Sequence, residues 1–142
     1  MTRKHYMLDD WVGEGKYAKV VPMEGEVSVT RTMPKKEFFK SHNLKYTGKE
    51  KPLKIRYMPL DKAIEMAKKP YTGAMKVLGV AFVASSDKID VTHTGFVVFT
   101  PGKKPVLRHA SSIKKQVVEL PLADYLATRK IPGITFFKFI QH

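Results

Sequence analysis

Two histidines on neighbouring predicted strands are the side chains of this sequence best placed to do chemistry. His93 lies in the run Val91–Phe99, and His109 lies in residues 106–112. Both runs have the β-branched and aromatic character of strands, whereas the segment between them contains two prolines, a glycine and two lysines, as loops do. The pattern predicts a β-hairpin that brings the two histidines together.

The spacing of the histidines predicts which side of the hairpin they occupy. Side chains alternate between faces along a strand, so His93 shares a face with Val97, and His109 shares one with Leu107. If Gly95 lies opposite His109, the two imidazoles are diagonal neighbours, roughly 7–8 Å apart at the backbone, and one ring could orient the other. The alternative is that each histidine is an ordinary packed or half-exposed strand side chain.

Three motifs follow one another through this part of the chain. They are His-Thr-Gly-Phe-Val-Val at 93–98, Leu-Arg-His-Ala-Ser-Ser at 107–112, and Lys-Lys-Gln-Val-Val-Glu-Leu-Pro-Leu-Ala-Asp-Tyr-Leu at 114–126. Together they resemble the C-terminal half of the bacterial N-acetylmuramoyl-L-alanine amidase-like proteins. Those proteins belong to the wider NlpC-type, papain-fold group of cell-wall cysteine hydrolases.

The resemblance implies a role for each histidine. In that group a strand histidine followed closely by glycine is the catalytic base, and a polar residue in the following His-Ala strand orients it. Carried over by position, His93 is the expected base and His109 the expected orienting residue. The resemblance also implies a papain-like α+β fold, amidase or peptidase activity on the stem peptide of peptidoglycan or muropeptides, and a periplasmic or extracellular location.

The expected nucleophile departs from the family pattern. The family uses a cysteine on a helix N-terminal to everything matched here, and this chain contains no cysteine. Weaker similarity extends back through 57–59 and 38–42 to 5–11. Either the chain begins after the segment that carries the nucleophile, or it is a natural form without one.

Length and charge limit the remaining possibilities. The 142 residues suit a single domain, 1–142, with a substantial core. The 26 Lys and Arg against 13 Asp and Glu give a formal charge of +13, spread over several short clusters. Such a surface is either simply solvated or attracted to a polyanion, and cell-wall polymers with free carboxylates qualify as well as nucleic acid does.

Local patterns predict strands alternating with a few short helices, an α+β arrangement in which helices flank a mostly antiparallel sheet. No apolar run approaches the roughly 20 residues of a membrane-spanning helix, and residues 1–10 show no signal peptide. Trp11 is expected to be a packing anchor. The predicted elements are helices at 33–42, 59–69 and 121–128, and strands within 20–32 and at 53–57, 76–84, 116–120 and 134–140.

Other chemistry has weaker support in the sequence. No phosphate-binding glycine loop, nucleotide fingerprint or His-Glu-x-x-His helix is present, so neither a cofactor nor a metal is predicted. Asp90 with His93 lacks a third metal ligand at a persuasive spacing. Ser111 or Ser112 beside His109 could serve as a nucleophile, although hydroxyl residues after a strand are more simply turn formers.

Two functions of a different kind remain open. One is a noncatalytic module of the same fold that holds an anionic glycan, a nucleic acid or a protein partner through its basic surface. The other is an RNA-binding domain, which only the charge suggests, since no strand motif interleaved with aromatic residues for base stacking is present. Nucleic acid is therefore not the expected partner.

Overall fold

A computed structural model describes residues 8, 12, 17–43, 45, 48–86 and 88–141. Trp11 and, apart from Leu8, the residues of weaker similarity at 5–11 lie outside these described residues. The elements along the chain are β1 (Ala18–Val20), β2 (Val27–Thr32), α1 (Lys35–Ser41), β3 (Pro52–Pro59), α2 (Leu60–Ala67), β4 (Lys76–Val83), β5 (Val91–Phe99), β6 (Val106–Ser111), β7 (Gln116–Pro121), α3 (Leu122–Ala127) and β8 (Gly133–Phe139).

The strands form one antiparallel sheet in the order β2-β3-β8-β4-β5-β6-β7, and β1 pairs with the later part of β8. From β4 to β7 the strands follow one another as a meander, which needs only short connections. β8, the last strand in the sequence, lies between β3 and β4. His93 and His109 lie in this meander, and β8 joins the meander to the first half of the chain.

Helices α2 and α3 cover one face of the sheet. Their inward side chains, among them Ala63, Leu122 and Leu126, join a cluster with the even-numbered residues of β4 and the odd-numbered residues at the end of β5. Proline precedes each helix, and its φ is fixed near the value that a helix requires. Burying these side chains anchors the C-terminal end of α3 beside β6 and β5.

A second cluster lies on the opposite face, formed by Leu8, Ala18, Leu53, Ile55, Ala81, Val83 and Phe137. The expectation of a mostly antiparallel α+β sheet is therefore confirmed. Helices α2 and α3 both pack into the first cluster. The second cluster combines strand residues with Leu8, and Val12 packs against it; the backbone at both Leu8 and Val12 is helical.

Most predicted elements are found within two residues of their expected bounds. The strand expected at 53–57 is longer, because β3 continues through Met58 and Pro59 to pair with β8. Within the described residues, no helix is long and apolar enough to cross a membrane.

Candidate active site

The two histidines lie on the same face of the predicted hairpin and touch each other. Nε2 of His93 and Nδ1 of His109 are 2.9 Å apart, a hydrogen-bond distance. The ring centroids are 5.0 Å apart and the ring planes are nearly perpendicular, at 85°. The expected geometry, with the two imidazoles on adjoining antiparallel strands and pointing to the same side, is confirmed.

Gly95 allows this contact. The ladder between β5 and β6 runs from Val98 opposite Val106 to Phe96 opposite Arg108, so the next position along places Gly95 against His109. A Cβ atom at position 95 would lie 2.9 Å from the Arg108 carbonyl oxygen and 3.0 Å from Cβ of His109. A side chain at position 95 would push β6 away from β5. Because Gly95 has none, β6 can bring His109 close to His93.

Aromatic rings support the pair from the side of α3 and β4. The ring of Phe82, directly opposite His93 on β4, lies nearly parallel to the imidazole at 5.9 Å. The ring of Tyr125 on α3 is 5.0 Å from that of His109 and 6.5 Å from that of His93. Both aromatic side chains are buried, so they fix the two imidazoles against a rigid wall.

The histidine pair borders an accessible groove of about 250 Å³, which Phe82 and Tyr125 also line. His93 and His109 both line it, and both are half-buried. Among the described residues, no group forms a hydrogen bond with Nδ1 of His93, while Nε2 is held by its partner ring. The groove therefore gives one nitrogen of His93 access to a reacting group.

The surroundings favour neutral imidazoles. Burial is the main cause that lowers the pKa of His93, and the nearby His109 and Arg129 lower it further. The pKa of His109 is lowered by burial and by Arg129, against a smaller opposing effect of a hydrogen bond to the backbone of Ala110. Each desolvated ring resists a charge, and two adjacent positive charges would repel. A neutral histidine has one bare nitrogen that can accept a proton.

Tyr125 and Arg129 were not predicted as site residues. The guanidinium carbon of Arg129 lies 4.2 Å from the centre of the Tyr125 ring, a cation–π contact, and Arg129 lines the groove. The signal in the sequence was the spacing of four residues between Tyr125 and Arg129 at the end of a helix. This spacing places the two side chains on the same side of the helix.

The other candidates named from the sequence have structural roles. Ser111 Oγ accepts a hydrogen bond from the backbone N–H of Lys114, which fits its role as a turn former, although it lines the groove with Ser112. The buried carboxylate of Asp90 accepts the backbone N–H groups of Leu8 and Val91. Among the described residues, no group of three His, Cys, Asp or Glu side chains is placed to hold a metal.

A larger cavity of about 660 Å³ lies elsewhere, beside α2 and the segment that follows it. Its lining includes Lys62, Lys69, Tyr71 and Glu65, and the Glu65 carboxylate already pairs with Lys69 at 3.7 Å. No histidine lines it. Size alone favours this cavity, but the arrangement of proton-transfer groups favours the smaller groove.

Comparison with known proteins places the chain in a family. The family model described as AmiA-like, N-acetylmuramoyl-L-alanine amidase-like, matches residues 1–134. The match covers most of the chain. The protein therefore belongs to the N-acetylmuramoyl-L-alanine amidase-like family. A comparison with curated proteins finds no match.

Solved structures share the fold. An N-acetylmuramoyl-L-alanine amidase from Bacteroides uniformis superposes with a TM-score of 0.67 at 22% identity, covering 96% of this chain and 64% of that one. Protein LPG0564 from Legionella pneumophila gives a TM-score of 0.67 at 15% identity, covering 98% and 62%. A protein described as a putative xylanase from Bacteroides fragilis gives 0.54 at 23%, covering 79% and 54%. The chain spans less than two thirds of the length of each of these structures.

Proposed function

We propose that this chain is the catalytic-sheet portion of a papain-like, NlpC-type cysteine hydrolase that cleaves an amide bond of the peptidoglycan stem peptide. In this proposal His93 is the catalytic base, His109 orients it, and a cysteine outside these 142 residues is the nucleophile. Membership of the amidase-like family supports the substrate class. The site of action would be the periplasm or the cell exterior.

The observation that carries the proposal is the hydrogen bond between the two imidazoles. When His93 donates from Nε2 to Nδ1 of His109, the bare nitrogen of His93 is Nδ1, which has no hydrogen-bond partner among the described residues. An orienting group on one nitrogen fixes the tautomer and leaves the other nitrogen ready to accept a proton, as in catalytic triads. His109 performs here the task that a carboxylate or amide performs elsewhere.

The first chemical step would form a thioester. Nδ1 of His93 takes the proton of the cysteine thiol, and the resulting thiolate attacks the carbonyl carbon of the scissile amide. The tetrahedral intermediate then collapses as the carbon–nitrogen bond breaks. The imidazolium of His93 gives its proton to the leaving nitrogen, which departs as an amine.

The second step would return the enzyme to its starting state. His93, neutral again, takes a proton from a water molecule that attacks the thioester carbonyl. The carbon–sulfur bond breaks, and the proton passes from His93 back to the thiolate as the carboxylic acid leaves. The lowered pKa of His93 suits this cycle, because the neutral base is the form present at neutral pH.

The missing nucleophile determines the experiment. Both steps require a cysteine, so the 142-residue chain alone should release no amine from muropeptides. A chain extended upstream to include a cysteine-bearing helix should be active. In the extended enzyme, His93→Ala should abolish turnover. His109→Ala should reduce it less, because an orienting residue moves no proton itself.

The outcomes of that assay separate the alternatives. A gene with no cysteine-bearing helix upstream would remove the proposed nucleophile. Activity of the cysteine-free chain that survives His93→Ala would show that the chemistry lies elsewhere. Release of amine from muropeptides is the measurement. The 142-residue chain and its His93→Ala variant are assayed beside the extended chain and its two variants.

A noncatalytic binding module is the second candidate, favoured by the absence of cysteine and the charge of +13. In that case the same groove would hold an anionic glycan or another partner without cleaving it. Binding of purified peptidoglycan, combined with inactivity of the extended chain, would favour this candidate over the hydrolase.

A further inference from the structure

Arg129 supplies a positive charge at the groove that no part of the proposed reaction uses. It follows α3, and its backbone N–H donates to the carbonyl of Leu126, so the helix end fixes where the side chain starts. The side chain is exposed and lines the same groove as both histidines. Among the described residues, no carboxylate forms an ion pair with its guanidinium.

The ring of Tyr125 holds this guanidinium in place. The guanidinium carbon is 4.2 Å from the ring centre, and the same ring packs 5.0 Å from that of His109. Tyr125 itself is buried, so this support is rigid. A long arginine side chain normally loses conformational freedom when it binds a ligand, and support from a fixed ring reduces that loss.

The charge of Arg129 also reaches the reacting groups. It lowers the pKa of both His93 and His109. Arg129 is the one Lys, Arg, Asp or Glu side chain among the described residues that line the groove, so the groove is electropositive. An arginine fork that pairs with no carboxylate in the described part of the chain matches the two oxygens of a carboxylate ligand.

We propose that Arg129 binds a free carboxylate of the peptide substrate and selects stem peptides that carry one close to the scissile amide. This inference rests on the proposed function, since it assigns a specificity residue to the same groove. Arg129 would lower the KM for an acidic stem peptide and position its backbone against His93. It takes no part in proton transfer.

The test uses a matched pair of ligands and the chain as it stands. N-acetylmuramoyl-L-alanyl-D-glutamate, with its glutamyl carboxylates free, is compared with its diamide. Each is titrated into labelled protein, and the imidazole signals of His93 and His109 are followed by NMR. We expect the acid to bind about tenfold more tightly than the diamide, because a charge-assisted hydrogen bond is lost in the latter.

Variants assign that preference to one residue. Arg129→Gln should bring the acid down to the affinity of the diamide, while Arg129→Lys should keep part of the preference because it keeps the charge without the fork. Lys130→Gln is the matched control: it removes the same charge one position along, at a residue that does not line the groove, and should keep the full preference.

The results distinguish this inference from the proposed function. If both ligands perturb the imidazole signals with equal affinity, or if Arg129→Gln keeps the preference, then Arg129 does not select for a carboxylate and the proposed function stands without it. If neither ligand perturbs either imidazole, the groove is not a stem-peptide site and both proposals fail. Loss of the preference in Lys130→Gln would show an effect of overall charge and would also overturn the inference.

Discussion

Replacing Gly95 with alanine tests how the sheet sets the contact between the histidines. The new Cβ atom would lie 2.9 Å from the Arg108 carbonyl oxygen and 3.0 Å from Cβ of His109, whereas ordinary contacts begin near 3.4 Å. One of the strands must therefore move by about 0.5 Å at this point. Neither neighbour is the flexible end of a side chain, so the backbone must take up the movement.

The size of the effect follows from that displacement. If the movement is along the line between the rings, the 2.9 Å contact of His93 with His109 grows to about 3.4 Å, near the limit of a hydrogen bond. Overpacking of this kind costs about 1–3 kcal/mol, and alanine recovers roughly 0.5–1 kcal/mol of the flexibility that glycine brings. The expected net loss in the free energy of unfolding is about 1 kcal/mol. In an active extended enzyme we expect turnover to fall about tenfold, because a displacement of 1 Å can cost a hundredfold.

Two measurements on the same protein check this reasoning. NMR of the labelled imidazoles should show that the interaction between His93 and His109 is weakened, and denaturant titration should show the loss of stability. Thr94→Ala is the control, since the neighbouring side chain is exposed and should change stability by no more than about 0.5 kcal/mol. Imidazole signals and stability unchanged by Gly95→Ala would refute the argument that glycine is needed for the close approach.

Two further predictions concern acid and salt. The pKa values of His93 and His109 are lowered in the folded protein, so the unfolded chain binds protons that the folded chain does not. The free energy of unfolding should therefore fall as pH drops from about 6.5, the unfolded value, through the lowered folded values. Denaturant titrations at several pH values check this, and a His93→Gln, His109→Gln double variant that keeps the same slope would contradict it. Binding to purified peptidoglycan should weaken steeply between low and physiological salt, because exposed charges are screened over roughly 8–10 Å. Sedimentation assays at several salt concentrations measure this binding. Salt-independent binding, or stronger binding to nucleic acid at equal salt, would count against the cell-wall partner.

The hairpin could be predicted because its signals are local. Alternation of side chains along β5 and β6 determines the face that each histidine occupies, and a loop rich in proline and glycine marks the connection. The strand register considered from the sequence, in which Gly95 lies opposite His109, also agrees with the observed pairing of β5 and β6. The catalytic roles of the two histidines remain predictions, which the family resemblance suggested and the contact between the rings supports.

The rest of the site could not be predicted because it depends on contacts between distant segments. Nothing local to Tyr125 or Arg129 indicates that α3 packs beside the hairpin and places both residues at the histidines. The extra length of β3 has the same origin: Met58 and Pro59 are extended because β8 pairs with them. Pairing with a strand far along the chain can override the local preference of a segment. Local sequence patterns carry no information about such a partner.

The central position of β8 also determines when this protein can fold. β3 and β4 have no direct pairing with each other in the sheet order, and β8 fills the place between them. During synthesis, the meander and the β2–β3 hairpin are made before the strand that unites them. Until then, two partial sheets expose strand edges on either side of an unfilled gap, the kind of surface that invites wrong pairing. Completion of this sheet therefore waits for β8, which follows the other strands along the chain, and chaperone protection would be most valuable in that interval.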